Sequence, residues 1–208
     1  MVTPVKSVLS TGLAGLTWCL VVSCAASSNS QPDTAQPDNS APTASLAAAV
    51  QQRLDALQAA VDGWQRADDL ASAKSAAETA RNLITGPDVH GYGDLDGDGR
   101  TGGASLTGLL PGEQGQPGLV TSPAPVCVER DVLGGSWADP AARWEEVRTR
   151  IATWNPTDNT FPALPSHPQR VVGWASLTLA APTLELAREY AGHAQLHVRV
   201  AREALNGC

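Results

Sequence analysis

The sequence predicts an all-α fold, a bundle of four to five helices interrupted by one long Gly/Pro-rich connection. Three observations carry this. Apolar residues recur at three- and four-residue steps over four stretches between Leu46 and Leu205. Strand signals are scarce, and "GLVTSPAPVCVERDVL" offers one short β-piece at most. Finally, 13 of the 19 glycines fall between Gly86 and Ala138, so one segment breaks the helical pattern while the rest sustains it.

In "SLAAAVQQRLDALQAAVDGWQRAD", Leu46, Val50, Leu54, Leu57, Val61 and Trp64 form one apolar stripe, with Ser45 placed as the N-cap. In "DDLASAKSAAETARNLITGP", Leu70, Ala73, Ala77, Ala80 and Ile84 share a face. Asp68 or Asp69 caps that helix and Gly86-Pro87 stops it. The join near Ala67 is short, so the two should pack as an antiparallel hairpin whose alanines allow close approach. A third helix opens at "DPAARWEEVRTRIATW", with Asp139 as N-cap, Pro140 at the first helical position and Trp144, Val147, Ile151 and Trp154 on one face. The proline-rich "NPTDNTFPALPSHPQ" ends it. From about Val171 to Leu205 the pattern returns, divided by Pro182, and Leu184, Ala187, Ala191, Ala194, Val198, Ala201 and Leu205 give a clean stripe.

The connection from Gly86 to about Ala138 is too long to sit structureless in a compact domain unless something orders it. Its "GYGDLDGDGR" places Asp94, Asp96 and Asp98 at alternate positions before Gly99. That spacing sets carboxylates on the inside of a tight turn. Hard oxygen ligands without nearby Cys or His point to calcium. The alternative is a solvated acidic turn that binds nothing, although clustered carboxylates repel one another and favour a cation. The motif resembles the first half of the EF-hand loop, and also dockerin and FG-GAP calcium loops. The resemblance implies side-chain ligation by Asp94, Asp96 and Asp98 and a backbone carbonyl from Arg100. It departs at Ser105, where the EF-hand has a bidentate glutamate, and at Gly102, where FG-GAP loops have aspartate; Asp88 or Glu113 could fold back to complete the shell, with waters filling the gaps otherwise. The expected role is structural. "AAETARNLITG" followed by "GYGDLDGDG" is also similar to a pattern in uncharacterised bacterial envelope proteins, with Glu78, Asn82 and Gly86 as the matching positions.

A second metal-ligating possibility is the row Glu189, His193 and His197 at four-residue steps on the last helix, with Glu78 as a fourth ligand from another helix. It would make the chain a periplasmic transition-metal bundle, similar in idea to imelysin-type iron proteins without their motif. The competing reading is that these histidines are hydrogen-bonded packing residues. Among the tryptophans, Trp64, Trp144 and Trp154 fall on core stripes, and Trp137, in the loop, is the candidate for a binding surface.

The N-terminal residues read as an address. One cation, Lys6, precedes the uncharged apolar "SVLSTGLAGLTWCLVV", which ends in "VVSC". This resembles the bacterial lipobox, which implies a signal peptide over residues 1–23 and a diacylglyceryl group on Cys24. Cleavage of an ordinary secretory signal a few residues later is the alternative. Residues 24–45 hold no large aliphatic or aromatic side chain, the composition of a disordered tether, and residues 46–208 form the bundle domain. Without residues 1–23 the chain has 13 basic against 21 acidic residues, a net charge of −8, which argues against nucleic acid as a partner. With Cys19 removed and Cys24 lipidated, Cys127 and Cys208 remain; in an oxidising compartment an even pair reads as a disulfide, with two free thiols as the alternative. No Gly-x-Ser-x-Gly elbow, phosphate-binding glycine loop or His-Glu-x-x-His helix is present. The expectation is therefore a non-catalytic lipoprotein of the cell envelope, membrane-anchored at Cys24 and facing outside the cytoplasm, with calcium as its cofactor and an envelope or extracellular protein as its partner.

Overall fold

The computed structural model describes residues 40–105, 107–154 and 164–207, with side chains from residue 47 onward. The expected signal peptide, Cys24, most of the tether and Cys208 lie outside the described residues. All the regular structure among the described residues is helical, without a strand. No helix among them is long and apolar enough to cross a membrane.

The first helix, α1, spans Ser40–Arg66. Ser45 is therefore an interior residue and not the N-cap, and the helix extends into what the composition marked as tether. Its first turns read Ser-Ala-Pro-Thr-Ala-Ser, and a proline there costs nothing because first-turn N–H groups have no intrahelical partner. Leu54, Leu57, Val61 and Trp64 are all 0–1 % exposed, as the stripe requires. Helix α2, Leu70–Thr85, starts at Asp69, whose carboxylate accepts the Ser72 N–H at 2.7 Å, and ends at Gly86, a positive-φ residue (68°) whose N–H reaches Asn82 O.

The long connection contains a short helix. α3, Val126–Val128, runs on as one π turn, Glu129–Leu133, in the stretch where the sequence allowed one short β-piece at most. The Glu129 carboxylate decides this locally. It accepts the Ala124 N–H at 2.9 Å and the Ser122 hydroxyl at 2.8 Å, satisfying donors at the helix start. Gly134, in the left-handed region, then ends the turn. Cys127 lies half-buried on α3; the other three cysteines lie outside the described residues.

Helix α4, Pro140–Ala152, begins at Asp139, which accepts the Ala142 N–H, and buries Trp144 and Val147. Helix α5, His167–Leu179, begins earlier than the apolar pattern suggested because Ser166 and Gln169 form a reciprocal capping box. Helix α6, Leu184–Gly207, buries Ala187, Ala191, Ala194, Val198 and Ala201.

Four of these helices make the bundle, α1 against α2, α2 against α5, α5 against α6 and α6 back against α1, while α4 flanks α5. Side-chain bonds fix the directions. Trp64 Nε1 donates to Ala187 O at 2.8 Å, Gln195 to Asp62 at 3.1 Å and Arg202 to Asp55 at 2.8 Å, so α6 descends as α1 ascends. His167 meets His197 and Trp174 meets His193, which makes α5 and α6 antiparallel as well. Each helix thus runs opposite to its two neighbours. The return of the long connection is sewn to the end of α2. Leu109 and Leu110 donate to Leu83 O and Ile84 O, and Arg53 of α1 adds its guanidinium to Leu83 O at 2.6 Å and Thr107 O at 2.8 Å. These C-terminal carbonyls lack helical partners, and a cation there also suits the negative end of the helix.

Candidate metal centre

The middle of α2 buries two stripes. Ala73, Ala77, Ala80 and Ile84 face the bundle; beside them run Glu78, Asn82 and Thr85, polar and at most 1 % exposed. Buried polar groups need partners, and here the aspartate loop supplies them. Glu78 Oε2 accepts the N–H groups of Leu95 and Asp96, and its Oε1 accepts the Gly102 N–H at 2.6 Å. One turn on, Asn82 donates from Nδ2 to Gly93 O and Gly102 O, both at 2.8 Å, and accepts the Gly93 N–H at 3.3 Å. Two adjacent side chains of α2 therefore hold the entry, the middle and the exit of the loop. Tyr92 completes the closure by accepting the Ser105 N–H.

Such close approach demands glycine at the exit. A Cβ on Gly102 would stand 2.3 Å from Thr79 Oγ1, inside contact distance with a side chain itself bonded to the helix at Ser75 O.

Within the loop each aspartate turns its carboxylate onto the chain ahead. Asp94 accepts Gly97 N–H at 2.8 Å and Gly99 N–H at 2.9 Å; Asp96 accepts Asp98 N–H at 3.0 Å; Asp98 accepts Arg100 N–H at 2.8 Å. These bonds to ionised acceptors set the curl of the loop and leave lone pairs free on Asp94 and Asp96. Oxygen atoms of Glu78, Asp94 and Asp96 lie within 4.8 Å of one another, a separation at which three carboxylates can share a metal ion.

The convergent group differs from the set read off the motif. Glu78, assigned by sequence to the histidine row, lies here instead, a buried helix-borne carboxylate facing Asp94 and Asp96. Asp98 is exposed and outside the group, and Arg100, expected to offer only its backbone carbonyl, is exposed too. Asp88 is exposed too. Glu113 is engaged elsewhere, accepting the His90 N–H at 3.1 Å and pairing with Arg148. A groove of about 580 Å³ runs from Asp96 and Asp98 along the outer face of α2 past Lys74 and Ser75.

The histidine row does not assemble. Glu189 is exposed, and His193 stacks flat on Trp174, 4.3 Å between centroids and 13° between planes. His197 points instead at His167, Nδ1 to Nδ1 2.9 Å. Glu78 is occupied by the loop. These histidines are packing residues, and His167 is the partner that spacing along one helix could not show. Burial, then His167 and Arg170, holds the His197 pKa down to about 3; burial, then Arg170, lowers that of His167. Trp137 is likewise committed to packing, its ring edge-on to Trp144 at 5.6 Å and its N–H on Leu133 O at 2.9 Å.

No protein-family model, curated protein or solved structure matches the chain.

Proposed function

We propose that this chain is a non-catalytic lipoprotein of the bacterial cell envelope, anchored at Cys24, whose helical domain carries one structural calcium ion. The observation that carries the reading is the meeting of Glu78 from α2 with Asp94 and Asp96 from the loop, oxygen atoms within 4.8 Å. Calcium is favoured because the three ligands are carboxylates with no sulfur or imidazole, and because the group joins a helix to a loop that needs ordering. Three carboxylates fall short of the six to eight oxygens calcium takes, so loop carbonyls or water complete the shell and the affinity falls in the weak extracellular range, about 10⁻⁴–10⁻³ M. The ion would offset the mutual repulsion of the three carboxylates and fasten the loop. A Cys127–Cys208 disulfide is part of the same reading, supported by α3 lying against α6, the helix that leads to Cys208. It would add about 4–5 kcal/mol in the chain-entropy account.

Thermal unfolding of the purified protein after chelation, with calcium titrated back, tests the metal. The midpoint should climb through millimolar calcium, by an amount equivalent to about 2.7 kcal/mol at a hundredfold excess over Kd, and Asp96→Ala should abolish the climb. A midpoint indifferent to calcium sinks the metal reading. The anchor is tested separately by metabolic labelling of cells with palmitate, which should mark the wild-type chain and not Cys24→Ala.

A further inference from the structure

Away from the loop carboxylates, where α4 leans on α5, a cavity of about 160 Å³ opens between α2, the start of the long connection, α4 and α5. Its floor and walls are apolar, with Trp144, Val147 and Val172 each at most 2 % exposed. Its polar side chains are Arg81 of α2, Arg148 of α4, His90 of the connection and Ser176 of α5, the last donating its hydroxyl to Val172 O at 2.8 Å, with no acidic residue among those lining it. Arg148 is already neutralised by Glu113 and Glu145. Arg81 is not. Among the described residues it forms no ion pair; its one hydrogen bond is to Gly91 O, and the nearby Glu78 turns its own carboxylate to the loop amides. A guanidinium has five N–H donors, so most of Arg81's remain to be used. Burial, reinforced by the like charge of Arg148, pulls its pKa down to about 10.

We propose that this cavity binds a small aliphatic monocarboxylate, its carboxylate on Arg81 and its short tail against Trp144, Val147 and Val172. Arginine presents paired donors in the geometry a carboxylate accepts, and a half-buried cation without a counter-ion gains most from receiving one. At about 30 Å³ for each water-sized group, the space admits roughly five such groups, which is a short-chain acid and not a sugar or a nucleotide. The proposal does not rest on the calcium reading, because no residue lining the cavity belongs to the Glu78, Asp94 and Asp96 group.

The test is thermal unfolding of the whole protein, held in chelator at constant ionic strength, against butyrate, n-butanol, n-butylamine and inorganic phosphate. Butyrate should raise the midpoint in a saturable way within tens of millimolar, and the other three should not. Arg81→Lys, which keeps the charge and loses the fork, should weaken butyrate binding about tenfold or more, the range for a charge-assisted bond. Ser176→Leu, which fills the cavity from its rim and leaves Arg81 alone, should abolish the response; it decides the matter if the Arg81 variant does not fold. No response to butyrate overturns the proposal, as does an equal response to butanol or to phosphate, or a butyrate response unchanged in Ser176→Leu.

Discussion

Glu78 accepts the Gly102 N–H at 2.6 Å from a carboxylate that sits in the interior of α2, so the loop is fastened to the side of a helix and not to its end. The consequence is that helix and loop should fail together. Glu78→Gln replaces an ionised acceptor of three N–H groups with an amide whose nitrogen cannot accept. It should cost about 2–4 kcal/mol in urea unfolding and remove the calcium dependence of what stability remains.

Asn82→Leu separates fastening from charge. It keeps the side-chain volume but strands Gly93 O, Gly102 O and the Gly93 N–H. The expected loss is again about 2–4 kcal/mol of stability, with faster hydrogen exchange at residues 93–102 than in the bundle helices. Uniform exchange across the molecule would show the loop to be incidental.

Gly102→Ala should detach the loop by steric conflict with Thr79 Oγ1. The double variant Gly102→Ala, Thr79→Ala should recover a good part of the loss, because the hydroxyl is the nearest atom in the way. Non-additivity in that cycle, measured by denaturant unfolding, is the signature; simple additivity would place the damage elsewhere.

The His167–His197 pair predicts a pH dependence. Both pKa values lie below the ordinary 6.5 in the folded protein, that of His197 at about 3. Below pH 6.5 the unfolded chain therefore takes up protons that the folded protein refuses, so stability is complete above 6.5 and declines as pH falls toward 3. Around the pair stand Arg170 on α5, His193 on α6, and Arg130 and Asp131 on the π turn, and only Asp131 favours protonation of His167. His197→Asn should flatten the acid side of a plot of midpoint against pH; an unchanged slope would assign the acid loss to carboxylates alone.

Much of this arrangement is written in residue spacing, and the reason differs from place to place. The stripes from Leu54 to Trp64 and from Ala187 to Ala201 are legible because burial of one helical face repeats every three or four residues. Asp94 and Asp96 are legible because a turn that curls carboxylates inward needs them at alternate positions. Glu78 as their companion is not, since that pairing joins a helix to a loop 16–18 residues later, and spacing along one element carries no information about it. The nearest signal is the polar row Glu78, Asn82, Thr85 at steps of four and three beside the alanine face. His197 misleads for the same reason: its row on α6 is regular, but its contact is His167, 30 residues earlier.

The pairing of α1 with α6 bears on when this domain can form. Trp64 finds its acceptor 123 residues further along the chain and Asp55 its arginine 147 residues further. Closing so large a circuit must be met by the chain's loss of freedom before the contact gives anything back, and it cannot begin until nearly all of the chain is available. A nascent or truncated chain ending before α6 would therefore show Trp64 and the Leu54–Val61 face to whatever surrounds it, and the last helix acts as the bolt that completes the domain.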